Sequence, residues 1–309
     1  MITDFKNKIL QGDAKQVLKS LPDKCVNMCV TSPPYYALRS YTDSPDEIGK
    51  ETSPDEYVQN LVDVFTEVKR VLRDDGTLWL NLGDTYNGKG HQGDFIDPKY
   101  PNGRTGQTVA INHKLEGYKR KDLIGIPWMV AFALRSSAWY LRQDIIWNKT
   151  NPLPEPVKDR CVKSHEYIFL LSKKDKYYFD YKAIQEPSIT GDNGSRFDTG
   201  KTTNSKLRKH SIGDRVDDGL RNKRSVWTVN LQPLKDAHFA AYPEKLIEPC
   251  ILAGCPEDGI VLDPFMGAGT TALVALKNHR NFVGIELNPE YIDIAENRIK
   301  MYRYSDNNF

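Results

Sequence analysis

The sequence predicts an α/β protein whose sheet consists mostly of parallel strands, and three observations support this fold class. Short apolar runs of strand length alternate with segments whose apolar residues recur at helical spacing. Residues 53–76 combine the start signals of a helix with such a periodicity, and they lie between two strand-like runs. Residues 259–302 follow the order strand, glycine loop, helix, strand, helix. Strands that are connected through helices usually lie parallel in one sheet.

The first part of the chain supplies three strands and two helices. A short strand, KILQ, ends in Gly-Asp, a helix over AKQVLKSLPD stops at Pro22, and VNMCVTS forms the second strand. The next helix begins with Ser53 as N-cap and Pro54 in its first turn. We expect Gly76 to end this helix and TLWLNLGD to form the third strand. The apolar residues at helical spacing are Val58, Leu61, Val62, Phe65, Val68, Val71 and Leu72.

The rest of the chain continues the alternation, with two interruptions. A helix over IPWMVAFALRSSAW precedes the strands YLRQDIIWNK and HEYIFLLSK, and a further helix covers YPEKLIEPCILAGCP. The unit GIVLDPFMGAGTTALVALKNHRNFVGIEL and the helix PEYIDIAENRIKMY close the chain. Residues 86–121 are Gly-rich, with seven Lys/Arg against three Asp/Glu, and residues 195–235 hold ten Lys/Arg against four Asp/Glu. Long connections of this kind are usually functional or disordered.

The composition is that of an ordinary soluble globular protein. The chain has 309 residues, of which 39% are hydrophobic and 27% charged, which suits one domain with insertions. The N-terminus lacks the apolar core of a signal peptide, and no run of about 18 apolar residues predicts a membrane span. Five cysteines, an odd number, predict free thiols in a reducing compartment and hence a cytoplasmic protein. The cysteines and the six histidines show no metal-ligand spacing, so no metal site is expected.

A glycine loop, VLDPFMGAGTT, follows a predicted strand and opens a predicted helix. Gly267 and Gly269 allow the backbone to turn tightly and to approach a ligand closely. The next strand ends in Glu286, where nucleotide-binding folds place the acid that binds ribose hydroxyls. Thr270 and Thr271 follow the second glycine, and no Gly-Lys-Ser/Thr is present to grip phosphates. Unless it is a plain strand–helix turn, this loop favours a cofactor without a pyrophosphate, such as S-adenosylmethionine.

A second motif, TSPPY, ends the strand VNMCVTS. Proline lacks an N–H for the sheet ladder and fixes its own φ, so the strand stops in a rigid polar-aromatic corner. By itself this corner is equally consistent with a proline-bracketed turn around a buried tyrosine.

The two motifs together resemble those of β-class amino-group DNA methyltransferases. DPFMGAGTT is similar to their cofactor motif I, TSPPY to their catalytic motif IV, ILQGDA to motif III, and AHFAAYPEKLIEPCI to motif X. The resemblance covers nearly the whole chain, with the catalytic motif before the cofactor motif. It implies a three-layer, Rossmann-like methyltransferase fold, circularly ordered, with a mostly parallel sheet of about seven strands. The strands that close at Val30 and Asp263 would then be neighbours in space.

The resemblance also implies roles for individual residues. The catalytic set would be Ser32, Pro33, Pro34 and Tyr35. The Ser32 hydroxyl and the Pro33 carbonyl would accept the two N–H bonds of an exocyclic amine, and Tyr35 would stack on a base extruded from the duplex. Glu286 would hold the ribose, Asp13 would approach the adenine, and Phe265 would line the pocket. The full predicted cofactor set is Asp13, Asp263, Phe265, Gly267, Gly269, Thr270 and Glu286.

The basic segments are the predicted DNA-binding regions, because Lys and Arg gain affinity by releasing phosphate counterions. A solvated surface is the plainer interpretation of such segments. We assign residues 1–185 and 236–309 to the catalytic domain, with a basic loop at 86–121, and residues 186–235 to a target-recognition insertion. Trp227 is expected in the core rather than as an intercalating wedge. The candidate DNA contacts are Arg208, Lys209, Arg221, Lys223 and Arg224.

The predicted activity is site-specific methylation of duplex DNA by S-adenosylmethionine. In the resemblance, serine before Pro-Pro-Tyr is typical of enzymes that make N4-methylcytosine, whereas Asp or Asn is typical of adenine N6-methyltransferases. We therefore favour cytosine N4 and keep adenine N6 as the alternative. An RNA or protein amine methyltransferase and a DNA-binding module without catalysis also stay open. A cognate restriction endonuclease would be a second partner, and no membrane is expected.

Overall fold

The computed structural model describes residues 2–37, 47–88, 115–152, 154–188, 219–232 and 242–306. The helices within these ranges are α1 (Ala14–Ser20), α2 (Pro54–Val71), α3 (Ile126–Ser136), α4 (Glu244–Gly254), α5 (Thr270–Lys277) and α6 (Pro289–Asp306). The strands are β1 (Lys8–Gln11), β2 (Val26–Thr31), β3 (Leu72–Leu82), β4 (Tyr140–Asn148), β5 (His165–Ser172), β6 (Glu186–Pro187), β7 (Leu220–Arg221), β8 (Val226–Thr228), β9 (Ile260–Asp263) and β10 (Asn281–Glu286).

One mixed sheet organises the described residues and confirms the predicted α/β class. Its eight strands follow the order β1-β10-β9-β2-β3-β5-β4-β8. Only β5 runs against its neighbours, while the other described pairs in this sheet are parallel. The eighth strand, β8, adds three residues to the edge beyond β4. Strands β6 and β7 form a separate two-stranded antiparallel sheet.

Strands β2 and β9 lie side by side, although about 230 residues separate them in the chain. Met28 pairs with Val261 and Cys29 with Leu262, in parallel register. The implied neighbourhood of these two strands is therefore confirmed. Because parallel strands present their carboxyl ends at one edge, the Ser-Pro-Pro-Tyr corner and the glycine loop meet there.

Helix α2 begins as predicted but ends earlier. The Ser53 side chain accepts a hydrogen bond from the Glu56 amide at 3.2 Å, and Pro54 follows. The expectation that Gly76 ends the helix is wrong, because Leu72 is already extended and begins β3. Gly76 instead lies in an irregular stretch of β3, where an added Cβ would lie 3.0 Å from the Asn27 carbonyl oxygen.

The sheet is covered by helices on both faces, which gives three layers. One apolar cluster contains Leu18 of α1, Phe65 of α2 and Leu134 of α3. The other contains Ile251 of α4 and residues of α5 and α6. In β2, Met28 and Val30 belong to the second cluster and Cys29 between them to the first, as expected for a strand buried on both faces.

All five cysteines lie in the described ranges and are free thiols, as predicted. Among the helices of those ranges, none combines the length and apolarity needed to cross a bilayer.

Candidate active site

The glycine loop connects β9 to α5 and has two left-handed glycines with different surroundings. Gly269 has φ +79°, and an added Cβ would lie 2.7 Å from the Ala295 Cβ of α6, so packing requires glycine there. Gly267 has φ +51°, and no atom lies within 4 Å of the place where its Cβ would be. The loop therefore packs tightly at one glycine and is open for a ligand at the other, as a cofactor requires.

Glu286 ends β10 beside this loop. One carboxylate oxygen accepts the Gly267 amide at 2.7 Å, and the other accepts the Asn288 amide at 2.8 Å. Burial raises the pKa of Glu286, although these backbone bonds oppose the shift. Each oxygen keeps a further lone pair, so the carboxylate can still accept a hydroxyl from a ribose.

Asp13 lies at the end of the neighbouring strand β1. Gln11 pairs with Glu286, and the Gly12 amide donates to the Glu286 carbonyl at 2.9 Å, so β1 and β10 end together. The Asp13 carboxylate caps α1 by accepting the Gln16 amide at 2.9 Å. Asp13 also lines a cavity of about 370 Å³ between α1, residues 47–51 and the middle of α2. The predicted adenine-side and ribose-side residues therefore occupy adjacent strand ends.

Asp263, the last residue of β9, is 1% exposed and is surrounded by protein donors. One oxygen accepts the Thr31 hydroxyl at 2.6 Å and the Phe265 amide at 3.0 Å. The other accepts the hydroxyls of Tyr242, at 2.9 Å, and Thr271. Burial raises the pKa of Asp263, and these hydrogen bonds oppose the rise.

This arrangement joins the two motifs directly, because Thr31 immediately precedes Ser32. The Asp263 carboxylate was predicted to bind cofactor, but its oxygens accept four protein donors. Thr270 is buried at the start of α5, and its hydroxyl accepts the Arg298 guanidinium at 3.3 Å. Half-buried Phe265 packs against the core on the side of α1 to α3. We therefore propose that Asp263 and Thr270 act on the cofactor by positioning the loop.

The Ser-Pro-Pro-Tyr corner follows the end of β2 at Thr31. The Pro34 carbonyl accepts the Tyr57 hydroxyl of α2 at 2.8 Å, which anchors the corner to the helix layer. Pro33 is buried, whereas Ser32 and Tyr35 are partly exposed. Within the described residues, no donor bonds to the Pro33 carbonyl. This carbonyl and the Ser32 hydroxyl are thus the acceptors that the corner can offer to a ligand.

The Tyr35 hydroxyl is held in a polar cluster behind the corner. It donates to Glu166 Oε2 at 2.7 Å, and the Ser32 hydroxyl donates to it at 3.3 Å. Burial and the nearby Glu166 charge raise the pKa of Tyr35 well above its usual range. The ring lies against Gly83, whose missing Cβ would be 2.5 Å from the tyrosine Cε2. The other members of the cluster are Asn81 and Lys149.

The predicted DNA contacts are only partly described. Arg208 and Lys209 lie outside the described residues, as do residues 237–241, the first five residues of the segment that resembles motif X. Arg221 on β7 is ion-paired with Glu186 on β6 at 3.0 Å, which occupies its guanidinium. Its charge is therefore partly neutralised within the two-stranded sheet.

Lys223 and Arg224 lie next to β8. The Lys223 ammonium lies 5.2 Å from the centroid of the Trp227 ring. The Arg224 side chain is exposed, and its carbonyl accepts the Trp227 indole N–H at 2.6 Å. Trp227 itself is buried and pairs with Trp147 across β4 and β8, so its predicted core position is confirmed.

Several residues of the site were not predicted from the sequence. Tyr242 stood in the segment that resembles motif X, but nothing marked it as a partner of Asp263. Asn81 and Glu166 interrupt apolar strands with polar side chains, a signal that could have drawn attention to them. Lys149 and Tyr57 carried no such signal. Asn81, Lys149 and Glu166 come together only through the pairing of β3, β4 and β5.

A family model and several related proteins match this chain over nearly its whole length. The family, described as DNA methylase (N6_N4_Mtase), matches residues 26–297. The Type II methyltransferase M.Cfr9I of Citrobacter freundii is 46% identical over 292 residues, covering 94% of this chain and 87% of that protein. The Type II methyltransferase M.SmaI of Serratia marcescens is 43% identical over 293 residues, covering 94% and 90%.

Solved structures share the fold at lower identity. The PvuII DNA methyltransferase (cytosine-N4-specific) matches with a TM-score of 0.64 at 18% identity, covering 94% of this chain and 85% of that one. The complex of M1.HpyAVI with S-adenosylmethionine matches with a TM-score of 0.54 at 19% identity, covering 94% and 98%. The chain therefore belongs to the N6/N4 family of DNA methylases, and it transfers methyl groups from S-adenosylmethionine to amino groups of DNA.

Proposed function

We propose that the enzyme methylates the exocyclic N4 amine of cytosine within a specific duplex site. The observation that supports this base is Ser32, the serine at the first position of the catalytic tetrapeptide. Serine there is typical of the N4-cytosine members that the motif resembles. Ser32 also follows Thr31, which is bonded to Asp263 of the cofactor strand, so the acceptor lies next to the predicted methyl donor.

The chemistry requires an amine held in line with a methyl group. S-adenosylmethionine supplies a sulfonium methyl for a single displacement, in which the sulfur keeps the electrons of the broken C–S bond. The amine is a weak nucleophile because its lone pair is delocalised into the ring. Ser32 and the Pro33 carbonyl would accept its two N–H bonds and direct the lone pair toward the methyl, which is catalysis by positioning. The new N–C bond leaves one extra proton on nitrogen, which passes to solvent.

We further propose that the target base leaves the duplex. Ser32 and Tyr35 are only partly exposed at the strand ends, so a stacked base could not reach them. The Tyr35 ring is fixed on one side by Gly83 and at its hydroxyl by Glu166. A ring fixed in this way would hold an extruded base at little entropic cost.

Incorporation of labelled methyl groups tests the activity. We expect transfer from S-adenosylmethionine into duplex DNA that contains the recognition site, and none into RNA of the same sequence or into the protein itself. Equal labelling of RNA would favour the amine-methyltransferase alternative. Absence of labelling with duplex DNA of varied sequence would contradict the proposal.

The first prediction concerns the ribose contact. Glu286→Ala should weaken S-adenosylmethionine binding by roughly one to two decades, because a charge-assisted hydrogen bond contributes about 1.5–3 kcal/mol. The ionised carboxylate is the stronger acceptor, and burial raises the pKa of Glu286. The affinity of the parent enzyme for S-adenosylmethionine should therefore be highest at pH values above that raised pKa. As the pH is lowered, the affinity should begin to fall at a higher pH than it would for a glutamate with an ordinary pKa. Calorimetry across pH measures both effects, and Glu290→Ala, on the exposed first turn of α6, is the control. Unchanged affinity in Glu286→Ala would remove this residue from the site.

The second prediction concerns DNA recognition, which we propose for residues 186–235. Arg224→Ala should lower the salt slope of duplex binding by about one unit if Arg224 contacts a phosphate. Arg221→Ala should change it less, because Glu186 already pairs with that guanidinium. Filter binding at several salt concentrations gives the slopes, with Lys223→Ala as a third variant. Parental slopes in all three variants would place the recognition surface elsewhere.

The Type II names of the relatives support a restriction–modification setting, in which a cognate endonuclease recognises the same site.

A further inference from the structure

We propose that Glu166 is a positioning residue that orients the Tyr35 hydroxyl, and through it the Ser32 hydroxyl, so that Ser32 accepts from the substrate amine. This inference rests on the proposed role of Ser32 as an amine acceptor. It assigns a task to a polar cluster of β3, β4 and β5 that the family motifs do not include.

The carboxylate of Glu166 receives donors from three sides. Oε2 accepts the Tyr35 hydroxyl at 2.7 Å and the Asn81 amide at 3.2 Å. Oε1 accepts the Lys149 ammonium, and both side chains of this ion pair are only about one-seventh exposed, at 13% and 14%. An ionised carboxylate can only accept hydrogen bonds. Tyr35 must therefore donate its single proton to a neighbour, and Glu166 is the nearest acceptor.

The Asn81 side chain, the second acceptor near Tyr35, also requires the Tyr35 hydroxyl to donate. The Asn81 amide nitrogen donates both to Glu166 and to the Tyr167 carbonyl, at 3.0 Å. Its oxygen is thereby turned toward the Tyr35 hydroxyl, 3.2 Å away. Both Glu166 and Asn81 thus present acceptors to Tyr35, and neither presents a donor. Lys149 is held in turn by Glu166 and by the Trp147 ring, whose centroid is 4.2 Å from its ammonium.

The direction in which the Tyr35 hydroxyl donates determines which hydrogen bonds the Ser32 hydroxyl can make. Because the Tyr35 hydroxyl donates its hydrogen bond to Glu166, the Tyr35 oxygen accepts one from the Ser32 hydroxyl, 3.3 Å away. The lone pairs of Ser32 then remain for the N–H of the amine. A Ser32 proton that was free to rotate could instead bond to the nitrogen lone pair, which must be free to attack the methyl group. The chain of donors from Ser32 through Tyr35 to Glu166 prevents that competing bond.

A double-mutant cycle tests this assignment. Glu166→Gln keeps the shape but offers a donor as well as an acceptor, and Tyr35→Phe removes the intermediate hydroxyl. Each variant should lower the single-turnover methylation rate by about tenfold, and the double variant should lose little more than either alone, because the residues act in one chain. Affinity for S-adenosylmethionine should stay near the parent value. The thermal midpoint of Glu166→Gln should fall because Lys149 loses its largely buried partner, so the rates are compared at a temperature at which every variant is folded. Glu67→Gln, which loses an ion pair within α2 while Arg70 keeps its pair with Asp23, should keep the parent rate.

Two results would overturn the proposal. Glu166→Gln with the parent rate would show that Tyr35 needs no acceptor there. Rate losses that multiply in the double variant would show that Glu166 acts independently of Tyr35. Labelled methyl transfer measures the rate whichever base is modified, and nucleoside analysis of the same DNA identifies the base. A failure of the cytosine assignment is thereby distinguished from a failure of the Glu166 assignment.

Discussion

Ser32→Ala is expected to lower the single-turnover rate of DNA methylation by about a hundredfold, with S-adenosylmethionine affinity changed by less than about twofold. The hydroxyl would bond to the amine most strongly at the transition state, and a lost pre-organised hydrogen bond of that kind typically costs 10²–10³ in rate. Rapid-quench measurement of labelled methyl transfer gives the rate, and calorimetry gives the cofactor affinity.

The matched control is Ser20→Ala, which removes an exposed hydroxyl at the end of α1 that donates to the Val17 carbonyl. This variant should keep the parental rate. A Ser32→Ala enzyme with the parental rate would exclude the hydroxyl from catalysis. A loss that appears wholly as weaker cofactor binding would place Ser32 on the cofactor side instead.

Asp263→Ala is expected to lower the free energy of unfolding by about 3 kcal/mol. Removing the carboxylate leaves the hydroxyls of Thr31, Tyr242 and Thr271 and the Phe265 amide without their common acceptor, and each buried unsatisfied group costs about 1–3 kcal/mol. The contact between the Tyr242 and Thr271 hydroxyls and relief of the buried charge offset part of this cost. Urea unfolding with and without S-adenosylmethionine measures the loss.

Two comparison variants make the Asp263 result specific. Asp263→Asn keeps an acceptor oxygen, so it should lose about 1 kcal/mol. Asp75→Ala removes a surface carboxylate paired with Arg73, and it should unfold near the parental urea concentration. If Asp263→Ala also unfolded there, the buried carboxylate would not be what holds β2 and β9 together at their ends.

Local chemistry explains what was predictable about the fold. The start of α2 could be predicted because Ser53 and Pro54 are local signals that act within one turn. Its end could not, because Gly76 belongs to an irregular stretch of β3 that forms only when β3 pairs with β2. The edge strand β8 was missed for a similar reason, since three residues acquire a strand conformation only through pairing with β4.

The difference between local signals and long-range strand pairing also explains which parts of the active site could be predicted. The glycine loop and Glu286 lie in one strand–loop–helix–strand unit, so their meeting follows from local order. Glu166 reaches Tyr35 from a strand 131 residues away, and β5 lies beside β3 only in the folded sheet. The four donors on Asp263 likewise come from three separated segments. Long-range pairing of this kind leaves no periodicity or spacing in the sequence.

The most direct test of the proposed function is the identity of the methylated nucleoside. Duplex DNA treated with the enzyme and S-adenosylmethionine is digested to nucleosides, which are then analysed by mass spectrometry. We predict N4-methyldeoxycytidine, formed about a hundredfold more slowly when Ser32→Ala enzyme is used under the same conditions. N6-methyldeoxyadenosine as the sole product would contradict the cytosine assignment while leaving the fold and the family membership unchanged.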